Sequence, residues 1–217
     1  MPNPRLVLFA LCLATGVCAF GAAWMWNNRP TASPAPSQED QIARTLDLRI
    51  SDFELIDQDS NPIDATILDG VYTVAGFIFT NCPGLCPIMT TTMAEAQDRL
   101  SDTPVRFLSL SLDAERDSPQ AMKDFAARHN ARLNNWAFAT GDTAQARRIV
   151  AEDLMLVVQD EDENQVPTTD GSTMANILHP TRMILIGPDR RVLGFYTVSN
   201  ISGVEALEAD VRELLEG

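Results

Sequence analysis

Basic side chains are scarce in this sequence: 16 Lys and Arg stand against 30 Asp and Glu, a net charge of −14. With no cationic surplus to neutralise phosphates, a nucleic-acid partner is excluded. An acidic face can attract a basic partner or a cation, but solubility is its simpler role. Cysteine is scarce as well. Of four in all, Cys12 and Cys18 fall in an apolar N-terminal run, and only Cys82 and Cys86 lie beyond it. Two cysteines placed so close together cannot staple a disulfide scaffold. Histidine occurs only twice, as His129 and His179, so any site that needs an imidazole has two choices. Internal repeats are absent. Apolar residues are not scarce, and 45% hydrophobic content supplies a real core for one medium domain.

Charge is missing altogether from Leu6 to Trp26, a run of 21 residues and about the length that crosses a hydrocarbon core. Arg5 precedes the run, and Trp24 and Trp26 stand where an interfacial aromatic belt lies. No small-x-small cleavage site follows, and neither cysteine in the run has the Leu-x-Ala/Gly context of lipidation. Residues 1–29 therefore read as one uncleaved transmembrane anchor, with Cys12 and Cys18 as bystanders. Residues 30–45, rich in Pro, Ser and Ala, read as a linker. Residues 46–217 form the soluble domain, whose two thiols face an oxidising compartment if the amino terminus is cytoplasmic.

Within that domain Phe53–Asp57 reads as a strand followed by a polar turn, and Val71–Thr80 as a buried central strand. A helix is expected from about Pro87 to Leu100, then a second buried strand over Val105–Leu112. Ser118-Pro119 supplies an N-cap and an N1 proline for a helix to about His129. Asp142-Thr143-Ala144-Gln145 and Ser202-Gly203-Val204-Glu205 have capping-box form and open two more helices, the last ending near Glu216. Met183–Ile186 and Val192–Tyr196 are strands joined by the turn Gly187-Pro188-Asp189-Arg190. The polar stretch 159–175, with Asp160-Glu161-Asp162-Glu163 at its start, reads as an irregular, solvated insertion loop. Trp136 begins an apolar stretch and reads as core. A cysteine loop between a central strand and a helix, in this element order, predicts an α/β, thioredoxin-like fold with a central mixed sheet flanked by helices.

The loop Cys82-Pro83-Gly84-Leu85-Cys86-Pro87 carries the chemistry. Proline after each cysteine disfavours helical backbone there, and Pro87 suits the opening of a helix. Two thiols at a helix N-terminus favour the thiolate, which redox exchange and soft-metal binding both require. Three residues separate these cysteines where thioredoxin motifs have two. The pair can form a disulfide, or converge on copper(I) or zinc if a third ligand completes the site. His179, just before a strand at the expected active-site end, is the candidate. His129, at the end of a surface helix, complements the helix dipole instead. Met89 and Met93, four apart, are spaced for a core-facing stripe before a thioether site. Asp113 ends the strand beside the central one, placing it near the cysteine loop or as a cap on the following turn.

Phe79-Thr80-Asn81-Cys82-Pro83-Gly84-Leu85-Cys86-Pro87 resembles the Thr-x-Cys-Pro-x-x-Cys-Pro signature of the SCO/SenC family of copper chaperones. Ser111-Leu112-Asp113-Ala114-Glu115-Arg116-Asp117-Ser118-Pro119 is similar to that family's Asp-Pro-Glu-Arg-Asp-Thr-Pro stretch, with Ala114 in place of the usual proline. His179 with Met183–Asp189 is similar to its histidine, strand and Gly-Pro-Asp segment, although Pro180 follows where a hydroxyl residue is common. The resemblance implies a membrane-anchored domain that binds a copper ion through Cys82, Cys86 and His179. It implies as partners the copper-bearing subunit of cytochrome c oxidase, a copper donor and a thiol reductant. It places the domain on the periplasmic or intermembrane side of an inner membrane. Such a protein is not an enzyme in the turnover sense. The alternative is a thiol-disulfide oxidoreductase with Cys82 as nucleophile and Cys86 as resolving thiol. A peroxidase-like enzyme lacks its pattern around a single cysteine.

Overall fold

A computed structural model describes residues 46–168 and 171–217. The anchor expected over residues 1–29 and the linker over 30–45 lie outside the described residues. Among those described, no helix is long and apolar enough to cross a membrane.

The chain enters through a short antiparallel pair, β1 (Glu54–Ile56) and β2 (Pro62–Asp64). The turn between them is closed by Asp57, whose carboxylate accepts from the main-chain N–H of Asp59 and Asn61 at 2.8 Å each. After a 3₁₀ turn (Ala65–Leu68), β3 (Thr73–Ile78) runs through the centre with every residue buried. Next come α1 (Leu85–Arg99), β4 (Arg106–Ser111), α2 (Pro119–Arg128), β5 (Trp136–Ala139) and α3 (Thr143–Arg148). A π-helical turn extends α3 over Ile149–Asp153. The chain closes with β6 (Gln159–Pro167), β7 (Thr173–Leu178), β8 (Arg182–Ile186), β9 (Val192–Thr197) and α4 (Ile201–Glu216).

The main sheet has the order β5-β4-β3-β8-β9. β4 pairs parallel with both β3 and β5, whereas β8 runs antiparallel to β3 and β9 antiparallel to β8. This is the mixed, helix-flanked sheet of a thioredoxin-like core. The strand directions bring the C-terminal ends of β3, β4 and β9 to one edge, along with the N-terminal ends of β8, α1 and α4. β3 reads as a near-continuous apolar run because both its faces are covered.

Gly76 in β3 faces the methionines of α1. A Cβ at that position would lie 3.0 Å from Met93 Sδ and 3.2 Å from Met89 Cε. Both methionines are fully buried, which places them in the core as their spacing predicts. Trp136 is also core, 1% exposed, with its indole N–H on Ser109 Oγ at 3.0 Å.

The structure corrects three expectations and adds a strand. Residues 159–175 are not an irregular loop: β6 and β7 form an antiparallel hairpin with a register shift between Glu161 and Gln165. Buried Val166, Met174 and Ile177 hold it to the core, and Arg147 clamps Asp160 at 2.7 and 2.9 Å. Trp136–Ala139 is a strand, its register set by parallel pairing to Phe107–Leu110. α1 begins at Leu85, two residues before the expected proline. α4 is entered from Asn200 rather than Ser202, whose hydroxyl turns back to the Asn200 side chain at 2.5 Å. The Ser118 and Asp142 caps are where expected, accepting from the N–H groups of Ala121 and Ala144.

Candidate thiol–imidazole site

Past β3 the chain turns sharply, with Cys82 N–H donating to Phe79 O at 3.2 Å. Gly84 then serves as the N-cap of α1, yet glycine has no side chain to satisfy the first-turn N–H groups. Cys82 takes that role, its sulfur accepting from the main-chain N–H of Cys86 at 3.4 Å. Cys86 lies within the first turn and is fully buried, while Cys82 is half-buried. Two thiols from one loop therefore meet different surroundings.

Their acidities diverge accordingly. Hydrogen bonding from the Cys86 side chain leads in pulling Cys82 down to about 4; His179 and the main-chain N–H groups of Cys86 and Gly84 add to it. Burial pushes the Cys86 thiol up, and the charge that develops on Cys82 pushes it further. The reduced pair is thus one thiolate and one thiol that share a proton contact.

His179 closes the arrangement from the exit of β7. Its Nε2 lies 3.3 Å from Cys86 Sγ, and its Nδ1 lies 3.0 Å from Pro180 O. A carbonyl oxygen only accepts, so Nδ1 carries a proton and Nε2 is the nitrogen turned toward the cysteines. The edge of Phe79 packs against the ring at 5.7 Å and 78°. Cys86 lies between Cys82 and His179 and contacts both. Among the described residues, however, no three His, Cys, Asp or Glu side chains stand in an arrangement that holds an ion as they are. Cys86 still holds its proton, so a soft ion enters only as that proton leaves.

The other candidates are placed elsewhere. His129 ends α2, which runs back from the site edge, and its ring rests on Phe125 at 4.5 Å. Asp113 is 6% exposed; one carboxylate oxygen pairs with Arg116 at 2.9 Å, and its carbonyl caps the turn to Arg116 and Asp117. Asp160–Glu163 belong to β6.

Sequence reasoning missed Asp117. Fully buried beneath the loop, it accepts from Thr80 N–H at 3.0 Å, Thr80 Oγ1 at 2.6 Å and Ser111 Oγ at 2.6 Å. Its carbonyl also accepts from Thr140 Oγ1 at 2.6 Å. Burial, opposed by these hydrogen bonds, raises its carboxyl to about 6. Asp117 fixes the end of β3 two residues before Cys82, and its charge helps keep Cys86 protonated. The available signal was an acid wedged between the end of β4 and the Ser118 cap, a position that folds inward.

The SCO1/SenC family model matches residues 43–216. The SCO1 protein homolog of Bacillus subtilis (strain 168) is 31% identical over 176 residues, 79% of this chain and 86% of that one. A SCO1/SenC family lipoprotein from Bacillus anthracis str. Ames superposes with a TM-score of 0.68 at 26% identity, covering 78% of this chain and 96% of that one. ScoI of Bradyrhizobium japonicum with copper bound gives a TM-score of 0.57 at 25% identity, over 75% and 97% of the two chains.

Proposed function

The chain belongs to the SCO1/SenC family, and we propose that it carries copper on Cys82, Cys86 and His179 and delivers it to cytochrome c oxidase during assembly. The meeting of a stabilised thiolate, a buried thiol and an imidazole carries this reading. Two sulfurs and one nitrogen suit copper(I), a soft ion content with few ligands, and leave an approach for an incoming ligand. Copper is the cargo. Loading releases the Cys86 proton, so binding strengthens as pH rises, and both thiols must first be reduced. The half-buried Cys82 is the sulfur that an exchanging partner reaches.

A copper donor, a thiol reductant and the copper-bearing oxidase subunit are the partners this role requires. Residues 1–29 anchor the chain in the inner membrane, the linker runs over 30–45, and the domain from residue 46 works on the periplasmic or intermembrane side.

Copper stoichiometry on the reduced soluble domain, beginning near Thr31, tests the reading. About one tightly held copper per chain is expected, weakened in both Cys82→Ser and His179→Ala. Binding indifferent to His179 would overturn the three-ligand site. A second reading, thiol-disulfide exchange, draws support from the unequal acidities: the Cys82 thiolate attacks a client disulfide, and Cys86 resolves the mixed disulfide. The client leaves reduced, and the chain keeps a Cys82–Cys86 disulfide. That role does not need His179, so His179→Ala separates the two.

A further inference from the structure

In a chain of net charge −14, three segments around the thiol–imidazole site are free of charge, whereas the β4–α2 loop at the same edge carries Asp113, Glu115 and Arg116. Gly70–Ala94, Gly171–Thr181 and Val192–Val204 contain no Asp, Glu, Lys or Arg. The strand directions bring the site-bearing parts of all three to one edge of the sheet: the loop and first turns of α1, the exit of β7, and the β9–α4 connection. Thr92 Oγ1 donates to Val198 O at 3.3 Å and ties α1 to that connection.

The side chains presented there are apolar and open to solvent. Leu85 is 51% exposed, Ile88 50%, Leu178 42% and Ile201 45%. Leu85 and Ile88 flank Cys86 in the first turn of α1, Leu178 immediately precedes His179, and Ile201 opens α4. Four of the nine large apolar side chains exposed among the described residues thus belong to this one edge. Burying them against the protein's own core would be favourable, so leaving them in water marks a contact surface.

We infer that Leu85, Ile88, Leu178 and Ile201 form an apolar docking collar for the protein that exchanges copper with the chain, and that the partner presents an apolar rim around its own soft ligands. The inference rests on the copper-delivery reading. It is that reading which says what covers the collar. Copper on Cys82, Cys86 and His179 cannot change hands until a partner's ligand reaches bonding distance, and a partner that close covers Leu85, Ile88 and Leu178. A charged group set directly against these four side chains would be stripped of water with nothing to pair with.

The test follows copper transfer from the loaded chain to the reduced soluble domain of the copper-bearing oxidase subunit. Wild type is compared with Ile88→Ser, Leu178→Ser and, as a control at the far end of α4, Leu214→Ser. Copper affinity is measured in parallel by competition with bicinchoninate. The collar predicts affinities within about twofold of one another, transfer slowed more than about tenfold in Ile88→Ser and Leu178→Ser combined, and no change in Leu214→Ser. Equal transfer by all variants overturns the collar while leaving copper delivery standing. A wild-type chain that holds copper yet passes none to the oxidase domain overturns the delivery reading instead, and the collar's partner with it. A concentration-dependent dimer abolished by Ile88→Ser assigns the face to a second copy and overturns the partner assignment.

Discussion

Replacing Asp117 by asparagine removes a buried charge while keeping the side chain's shape. In the fold the carboxyl is raised to about 6 from an ordinary 3.8, with burial as the leading cause. Because the folded value lies above the unfolded one, the folded state binds a proton more tightly in this window. The stabilisation linked to that proton is complete below about pH 3.8 and is lost as pH rises through about 6. A separation of about two pH units is worth about 3 kcal/mol, of which about 2 kcal/mol falls between about pH 4.5 and 7.5. The amide introduced by Asp117→Asn cannot ionise and still offers an oxygen to the Thr80 N–H. Urea unfolding of the reduced, metal-free domain, read by the fluorescence of buried Trp136, measures both proteins at both pH values. Other titrating groups are common to the two and cancel in the comparison. Asp117→Asn is expected to gain about 2 kcal/mol relative to wild type on going from about pH 4.5 to 7.5. Parallel pH dependences would refute the buried-carboxylate account. Asp117→Ala, which strands the Thr80 N–H, should lose about 1–3 kcal/mol at either pH.

With its thiol pulled down to about 4, Cys82 is already thiolate throughout the neutral range. Its alkylation by iodoacetamide in the metal-free domain should vary less than about twofold from about pH 5.5 to 8, where an ordinary thiol accelerates more than about a hundredfold. Cys86 should stay unmodified while the fold is intact; mass mapping of the labelled peptides decides. Gly203→Ala places a Cβ against the main-chain carbonyl of Thr197 at the start of α4. Main chain cannot swing aside, so a loss at or above about 3 kcal/mol is expected in urea unfolding, and an unchanged midpoint would contradict the packing described. Arg147→Ala releases the Asp160 clamp on the β6–β7 hairpin. Amide exchange should accelerate in that hairpin while the global unfolding midpoint moves by less than about 1 kcal/mol, because the pair is solvent-screened; uniform protection would argue against the clamp.

What the sequence made legible follows from where the physics is local. β3, β4 and the β8–β9 hairpin could be read because they are apolar runs bounded by turn residues. The Ser118 and Asp142 caps could be read because a side chain satisfies N–H groups two or three residues away. β5 escaped because four residues carry too little periodicity, and its strand conformation comes from pairing with Phe107–Leu110. The β6–β7 hairpin escaped because most of its side chains face water, leaving Val166, Met174 and Ile177 as isolated apolar signals. The early start of α1 was hidden because its cap is a sulfur from two residues before the Gly84 N-cap, a partner no capping rule anticipates. Cys82, Cys86 and His179 were legible as a set through the family resemblance. Asp117 was not, since its importance comes from burial and from Thr80, 37 residues away in sequence.

The seat of α1 on β3 couples three positions that no sequence neighbourhood connects. Gly76 leaves room for the sulfur of Met93 and the terminal methyl of Met89, and Cys86 lies on the same helical stripe, three and seven residues earlier. A side chain at 76 would have to be matched by a shorter or differently routed one at 89 or 93. Unmatched, the helix rises from the sheet and carries Cys86 with it. His179 would not follow, since it hangs from β7 and leans on Phe79. Substitutions at 76, 89 and 93 should therefore be accepted only in combination. The 3.3 Å between thiol and imidazole is a dimension inherited from the thickness of the layer beneath.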